Sequence, residues 1–338
     1  MWALGNLVDP RSCQMEETWD QKRKKMLGFM MKRFARPFEL CLWPVRECGQ
    51  EAIRAHSVQN SRVLDLLVDK GHVIMPRLDF RKTAPSQFVF EEVGRNQATT
   101  FTGLCGEHDQ LLFAPIDTEP LDPTDQKQLF LLAYRSLLKE VHATRKTVID
   151  HQLGYQKGIE EGLYPADTPC APGMLAIEKG MSAFLVEDVK ERYDEAYLSE
   201  NWDRPAHHVI ELDVGPVLAA SSLFSTDRWA ESTDAPAFVA LNVIPTEEYT
   251  LAIFSYLYEQ GAQIREAFDR ICASSADFQM YELSKLLLRK YENFVLSPQH
   301  YRCFGTEQRE MIREYFERNT CGHDYDQEHP SLNLFRPI

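Results

Sequence analysis

The sequence predicts an α+β fold, with helices and antiparallel strands in separate stretches, and three observations carry that prediction. Phe130, Tyr134, Leu137, Leu138 and Val141 recur at i, i+4, i+7, i+8 and i+11, which marks one buried face of a helix. Over 208–214, Ile210, Leu212 and Val214 alternate with Glu211 and Asp213 as on a half-buried strand, and 237–244 and 249–256 repeat the apolar, β-rich character of a small antiparallel sheet. Helical periodicity returns over 261–273, 278–294 and 306–318, so strands do not alternate with helices as they do in βαβ units.

In chain order, residues 1–36 read as a basic amphipathic helical segment, 37–120 as a module of short strands, turns and one helix, 121–200 as a helical arm and 201–338 as an acidic α+β body. The first segment holds Lys22-Arg23-Lys24-Lys25 followed by Met26, Leu27, Phe29, Met30, Met31 and Phe34. Such a helix packs its Met/Phe side on the protein's own core, or lies on a nucleic acid, a membrane surface or a neighbouring subunit. Val63, Leu64, Leu67 and Val68 have helical spacing, Gly71 sits where that helix stops, and a strand over 72–75 follows. In Asp122-Pro123-Thr124-Asp125 the Asp122 side chain can accept from free backbone N–H groups and Pro123 has none to lose, so a helix is expected to start there and run past Val141. Residues 164–173, marked by Pro and Gly, read as a linker before a second helix over about 176–198.

Composition removes several function classes. The 338 residues are 44% hydrophobic and 26% charged, as in ordinary globular proteins, and no apolar run approaches the ~20 residues that span a bilayer. Eight cysteines are too sparse for a disulfide scaffold, and residues 1–11 lack the basic start and apolar stretch of a secretory signal, so a reducing, cytoplasmic setting is expected. There is no Gly-rich phosphate loop and no G-x-S-x-G, which leaves nucleotide phosphoryl transfer, dinucleotide redox and α/β-hydrolase chemistry without their usual signatures. Net charge is −14, unevenly spread: residues 1–100 carry 16 basic and 12 acidic side chains, and the remainder 21 and 39. Only the front is suited to a polyanion such as a nucleic acid; the acidic body is a solvated surface, or a face for a protein partner or a second copy.

The residues that point to chemistry lie in the same front portion. Cys41 and Cys48 precede Ala55-His56-Ser57-Val58-Gln59-Asn60, and Cys105-Gly106-Glu107-His108-Asp109 follows. Thiolates and imidazole are the preferred ligands of tetrahedral zinc, and Cys105-x-x-His108 has the spacing of one turn, so Cys41, Cys48, Cys105 and His108 form a candidate structural zinc set. The six residues between Cys41 and Cys48 exceed the usual two to four, with Pro44 available for a turn. Without metal the same residues are ordinary buried cysteines and a satisfied histidine.

The order of these residues resembles the HNH (His-Me finger, ββα-metal) nuclease family over about residues 38–115, a quarter of the chain. In that resemblance 104–109 looks like the closing zinc knuckle and 55–58 like the catalytic-histidine strand. It implies that His56 is a general base activating water against a phosphodiester, that Asp109 holds a catalytic Mg²⁺ or Mn²⁺, and that Asn60 or Asn96 supplies an orienting amide. The sequence departs from the family pattern at Ala55, where an acidic residue is common, and in the 48 residues between His56 and Cys105. Within that span 77–95, with Arg77, Arg81, Lys82 and Arg95 among Phe80, Phe88 and Phe90, is either an ordinary strand pair with inward aromatics or an inserted hairpin offering phosphate contacts and stacking faces. Residues 94–97 read first as a turn.

The expected activity is therefore metal-dependent hydrolysis of nucleic acid, with the acidic body restraining or oligomerising the enzyme, in a setting such as bacterial defence. The alternative is a non-catalytic, zinc-stabilised protein that binds a protein or nucleic-acid partner, and a third reading places the basic helix on a membrane surface. Cys321, His323 and Asp324, the pair His207-His208, and His300 with Cys303 are weaker candidates for metal binding or thiol chemistry.

Overall fold

The computed structural model describes residues 18–45, 48–79, 88–226, 236–272, 275–290, 293–320 and 325–338. Residues 1–11, the hairpin residues Phe80, Arg81 and Lys82, and Cys321, His323 and Asp324 lie outside them. Along the chain run α1 (Trp19–Phe34), β1 (Leu40–Cys41), β2 (Cys48–Glu51), β3 (Arg54–His56), a π-helical turn (Asn60–Leu64) leading into α2 (Asp65–Leu67), β4 (His72–Leu78), β5 (Phe88–Gly94), β6 (Thr100–Thr102) and α3 (Gly106–Thr118). Then come α4 (Gln126–Glu160), α5 (Ala171–Leu198), β7 (Pro205–Leu212), β8 (Leu218–Ser225), β9 (Phe238–Pro245), β10 (Thr250–Leu257), α6 (Gly261–Cys272), α7 (Ala276–Lys290), β11 (Phe294–Leu296), α8 (Pro298–Arg302) and α9 (Thr306–Thr320). The architecture is α+β, as expected.

The chain divides into two units, one of residues 38–143 and 184–338 and the other of residues 1–37 and 144–183. The larger unit is organised by an antiparallel sheet of seven strands in the order β5-β4-β11-β8-β9-β10-β7. Its central strands are covered on both faces. Leu218, Ala220 and Phe224 of β8 and Leu241 and Val243 of β9 join Phe254, Ile264, Leu287, Phe294 and Phe316 in one core. The intervening residues Leu223 and Ala240 pack on the other side against Phe130, Tyr134, Leu137, Leu138 and Val141 of α4 and Val186, Val189 and Tyr193 of α5. The α4 face expected from the sequence is thus buried, and burying both faces explains why the middle strands lack the polar alternation of an exposed sheet.

The sheet crosses the boundary drawn from sequence between 37–120 and 201–338, because β4 and β5 extend it through β11. Over its described residues the segment 77–95 is a strand pair of this sheet with inward aromatics, the first of the two readings. Phe88 is buried, and Phe90 packs against Phe294, Tyr301 and Phe316. Arg77 pairs with Glu91 and Arg95 with Asp65. Helix α4 also starts later than expected: Asp122 Oδ1 accepts from the N–H and hydroxyl of Thr124, whereas Asp125 Oδ1 accepts from the N–H groups of Lys127 and Gln128 and is the functional cap. The predicted helix around Val63 shrinks to the π-helical turn and α2, ending before Gly71, whose φ of +83° suits glycine.

The smaller unit comprises α1 with the adjoining ends of α4 and α5. Thr18 starts α1 through a capping box with Gln21. Arg33 Nη2 reaches the buried Asp150 carboxylate at 3.0 Å and ties α1 to α4, while Lys146, on α4 itself, reaches the same carboxylate at 2.5 Å and donates to the Arg33 carbonyl at 3.4 Å. No residue of α1 is fully buried, and Leu27, Met31 and Phe34 are exposed, so the expected packing of a Met/Phe side on the core is only partial, through Met26, Phe29 and Met30.

Edge strand β7 carries a titratable liability. His207 accepts from or donates to Ser255 Oγ at 2.8 Å while its Nε2 is buried without a partner, and burial pushes its pKa down from 6.5 to about 4. Below pH 6.5 the unfolded chain takes up this proton and the folded chain does not, so stability falls as the pH drops toward 4. From these two values the linkage amounts to about 2 kcal/mol lost between pH 7 and pH 5. Urea titrations of wild type and His207→Gln at both pH values check this: the loss should shrink by that amount in the variant, and an equal loss in both would show that His207 does not carry it.

Candidate metal centre

Local structure explains how four residues from three elements meet. The hairpin of β1 and β2 places Cys41 directly opposite Cys48, so residues that looked too far apart in sequence are cross-strand partners. Main-chain bonds from Leu42 N–H to Gly103 O (2.8 Å) and from Ile53 N–H to Leu104 O (2.7 Å) hold the hairpin against the turn that enters α3. Cys105 is the N-cap of α3 and His108 lies in its first turn, which aims both side chains at the hairpin. Leu104, Cys105, Leu112 and Phe113 are buried, so this helix start is anchored from below.

The ligand atoms of Cys41, Cys48, Cys105 and His108 all lie within 4.8 Å of one another. Cys48 Sγ is 3.9 Å from Cys105 Sγ, and His108 Nδ1 is 3.4 Å from Cys41 Sγ and 3.3 Å from Cys105 Sγ. Bonds of about 2.3 Å to sulfur and 2.0–2.1 Å to nitrogen in a tetrahedron give edges of about 3.8 Å between sulfurs and 3.6 Å between sulfur and nitrogen. The cluster is therefore within a few tenths of an ångström of tetrahedral geometry along these edges, and it can hold a metal ion such as zinc. Burial pushes the Cys41 thiol up to about 11, against the N–H of Cys105, which donates to Cys41 Sγ at 3.3 Å. A cation among the sulfurs reverses that balance by favouring thiolate. The Trp43 ring stacks on His108 at 4.2 Å and 4°, fixing the imidazole plane; sequence reading missed this residue, whose only signal is its place two residues after Cys41.

Beside the cluster, β3 pairs antiparallel with β6, and α3 follows β6 after three residues. His56 ends β3. Its Nδ1 is 2.9 Å from the carbonyl of Ala98, so in the neutral ring Nδ1 carries the proton and Nε2 keeps its lone pair. Burial lowers the His56 pKa, aided by the charges of Arg135 and Arg95 and opposed by the Ala98 bond and Asp117. Asp109, in the first turn of α3, has its pKa raised by burial and by Asp117 and lowered by Arg135. His56 and Asp109 thus share the field of one ion pair, Arg135 with Asp117, which sequence reading did not find.

The ring nitrogen of His56 that is hydrogen-bonded has a main-chain partner, Ala98 O, and not an asparagine side chain. Asn60 begins the π-helical turn with its Oδ1 buried and unpartnered, and Asn96 is exposed in the turn after β5; neither is hydrogen-bonded to His56. Among the described residues the Cys/His cluster is the one group of three or more His, Cys, Asp or Glu ligand atoms, so His56 and Asp109 do not belong to a second preformed cation site. His300 bonds to Leu334 O and Cys303 to Gln299 O, so those two side chains serve the main chain and not each other. The thiol–imidazole pair that does form is Cys272 with His208, 2.8 Å apart. Its thiol is pushed up by burial and by Asp269, which leaves it protonated and a poor nucleophile.

No family model, curated protein or solved structure matches the chain, so the geometry alone carries the functional reading. No helix among the described residues is long and apolar enough to cross a membrane.

Proposed function

We propose that Cys41, Cys48, Cys105 and His108 hold a structural zinc ion that braces an HNH-like ββα unit, and that the unit hydrolyses nucleic-acid phosphodiesters. The observation that supports this reading is the succession of β3, its partner β6 and α3, with His56 at a strand end, Asp109 in the first helical turn and the Cys/His cluster at their junction.

In this reading the free Nε2 of His56 takes a proton from the attacking water, and the Ala98 carbonyl holds the tautomer that leaves Nε2 basic. The lowered pKa keeps that base neutral at pH 7. Asp109 would contribute a carboxylate to Mg²⁺ or Mn²⁺, which would supply charge stabilisation at the phosphate oxygens.

The test is cleavage of single- and double-stranded DNA and RNA by the full chain with Mg²⁺ or Mn²⁺. Wild type should cleave, His56→Ala should lose about 10²-fold or more, and the wild-type rate should fall with pH only below the ordinary imidazole range. Binding without divalent-dependent cleavage would identify a zinc-braced interaction protein instead, and undiminished cleavage by His56→Ala would remove the mechanism.

A further inference from the structure

In the smaller unit a groove of about 830 Å³ opens between α1 and the adjoining ends of α4 and α5. That volume is in the range of small-molecule sites, roughly 300–1,000 Å³. Trp19, Leu27, Met30, Tyr155, Tyr164 and Leu175 form its apolar walls. Trp19 is 57% and Leu27 63% exposed, so these large side chains present their area to the opening with no cover from the described residues. Among the described residues, charge at the mouth comes from Arg23 and Lys24, neither of which makes an ion pair with a described residue, and from one acid, Asp20. Two cations against one anion leave a single unbalanced positive charge next to an apolar trough. The surrounding unit has the same sign, since residues 1–37 and 144–183 carry 12 Lys and Arg against 9 Asp and Glu in a chain of net charge −14.

From this charge complementarity we propose that the groove binds a long-chain fatty carboxylate, with its acyl chain against the apolar walls and its carboxylate on Arg23 and Lys24. The guanidinium fork matches a carboxylate bidentately, and the net single charge at the mouth matches a monoanionic head. The stems of Arg23 and Lys24 can lie along the chain while their heads stay in water. This site is independent of the metal centre and of the nuclease reading.

The experiment uses the full chain and a fluorescent fatty acid, dansylundecanoate, displaced by palmitate or by methyl palmitate. Saturable one-to-one uptake is expected, with palmitate displacing at least about tenfold better than its neutral ester, as loss of charge-assisted hydrogen bonds predicts. The double variant R23A/K24A should weaken uptake about tenfold, and Leu27→Glu should abolish it. These positions are exposed, and unchanged thermal midpoints would show the variants folded. Absent uptake, equal displacement by acid and ester, or wild-type binding by the variants would overturn the proposal. Attachment to anionic vesicles without uptake of the monomeric probe would also overturn it and mark a membrane-docking surface.

Discussion

Substituting Cys105 by serine is expected to strip the chain of its metal and to lower its stability by at least about 3 kcal/mol, a fraction of the roughly 10–16 kcal/mol that structural zinc contributes in small zinc domains. Cys105 stands within reach of every other ligand: its sulfur is 3.9 Å from Cys48 Sγ and 3.3 Å from His108 Nδ1, and its N–H donates to Cys41 Sγ. Losing it leaves three ligands that no longer close a tetrahedron, and the β1–β2 hairpin loses its side-chain tie to α3. The loss is partial because Phe101, Leu104, Leu112 and Phe113 keep their own core against Phe130 and Leu137. At about 2–4 °C per kcal/mol for domains of this size, the thermal midpoint should drop by about 6–12 °C. Metal content and melting of the full chain measure both effects, with Cys303→Ser, an exposed cysteine remote from the cluster in sequence, as the control. About one zinc per chain in wild type and in the control, with none in Cys105→Ser, is the expected result. A metal-free wild type isolated without chelator, or equal midpoints, would dissolve the case for a metal centre.

What the sequence disclosed followed the range of the interaction. Cys105-x-x-His108 was legible because both residues sit in one helical turn, and the α4 face was legible because its period is local. The match of Cys41 with Cys48 was obscured because cross-strand register, and not sequence spacing, sets their distance. Strand β8 went unread: Leu218-Ala-Ala-Ser-Ser-Leu-Phe-Ser225 is small and partly polar, yet it is central; Ser221 Oγ pairs with Ser136 Oγ, Asn293 donates to the Ser221 carbonyl, and Ser222 Oγ is buried without a partner. The joining of β4 and β5 to the C-terminal strands leaves no local trace, since β4 meets β11 with Ile74 opposite Leu296. Asn60 and Asn96 were named as partners of His56, whose hydrogen bond in the structure is to the Ala98 main-chain carbonyl, and carbonyls have no sequence signature.

Asp117→Asn is expected to destabilise the larger unit by about 3 kcal/mol, and Arg135→Met by only about 1, although the two changes break the same ion pair. The asymmetry follows from burial. The Arg135 side chain is 4% exposed and lies over the Phe113 ring at 4.1 Å, while the Asp117 side chain is 37% exposed. Arg135 donates to both carboxylate oxygens, at 2.9 and 2.6 Å, and its Nε is already buried without a partner. Removing the carboxylate's charge strands a guanidinium in apolar surroundings, where it can neither deprotonate nor reach water. Removing the guanidinium frees an aspartate that is already partly hydrated, and methionine fills much of the volume against Phe113. The double variant should therefore resemble Arg135→Met alone. Chemical denaturation of the three variants decides the matter; Asp117→Asn no worse than Arg135→Met would mean that the buried charge is compensated elsewhere. The same pair governs the site beside it. Since the Arg135 charge lowers the pKa of both His56 and Asp109, Arg135→Met should raise both, and an NMR titration of the His56 ring in wild type and variant reads the shift directly. A structural role alone would change stability and leave that titration where it was.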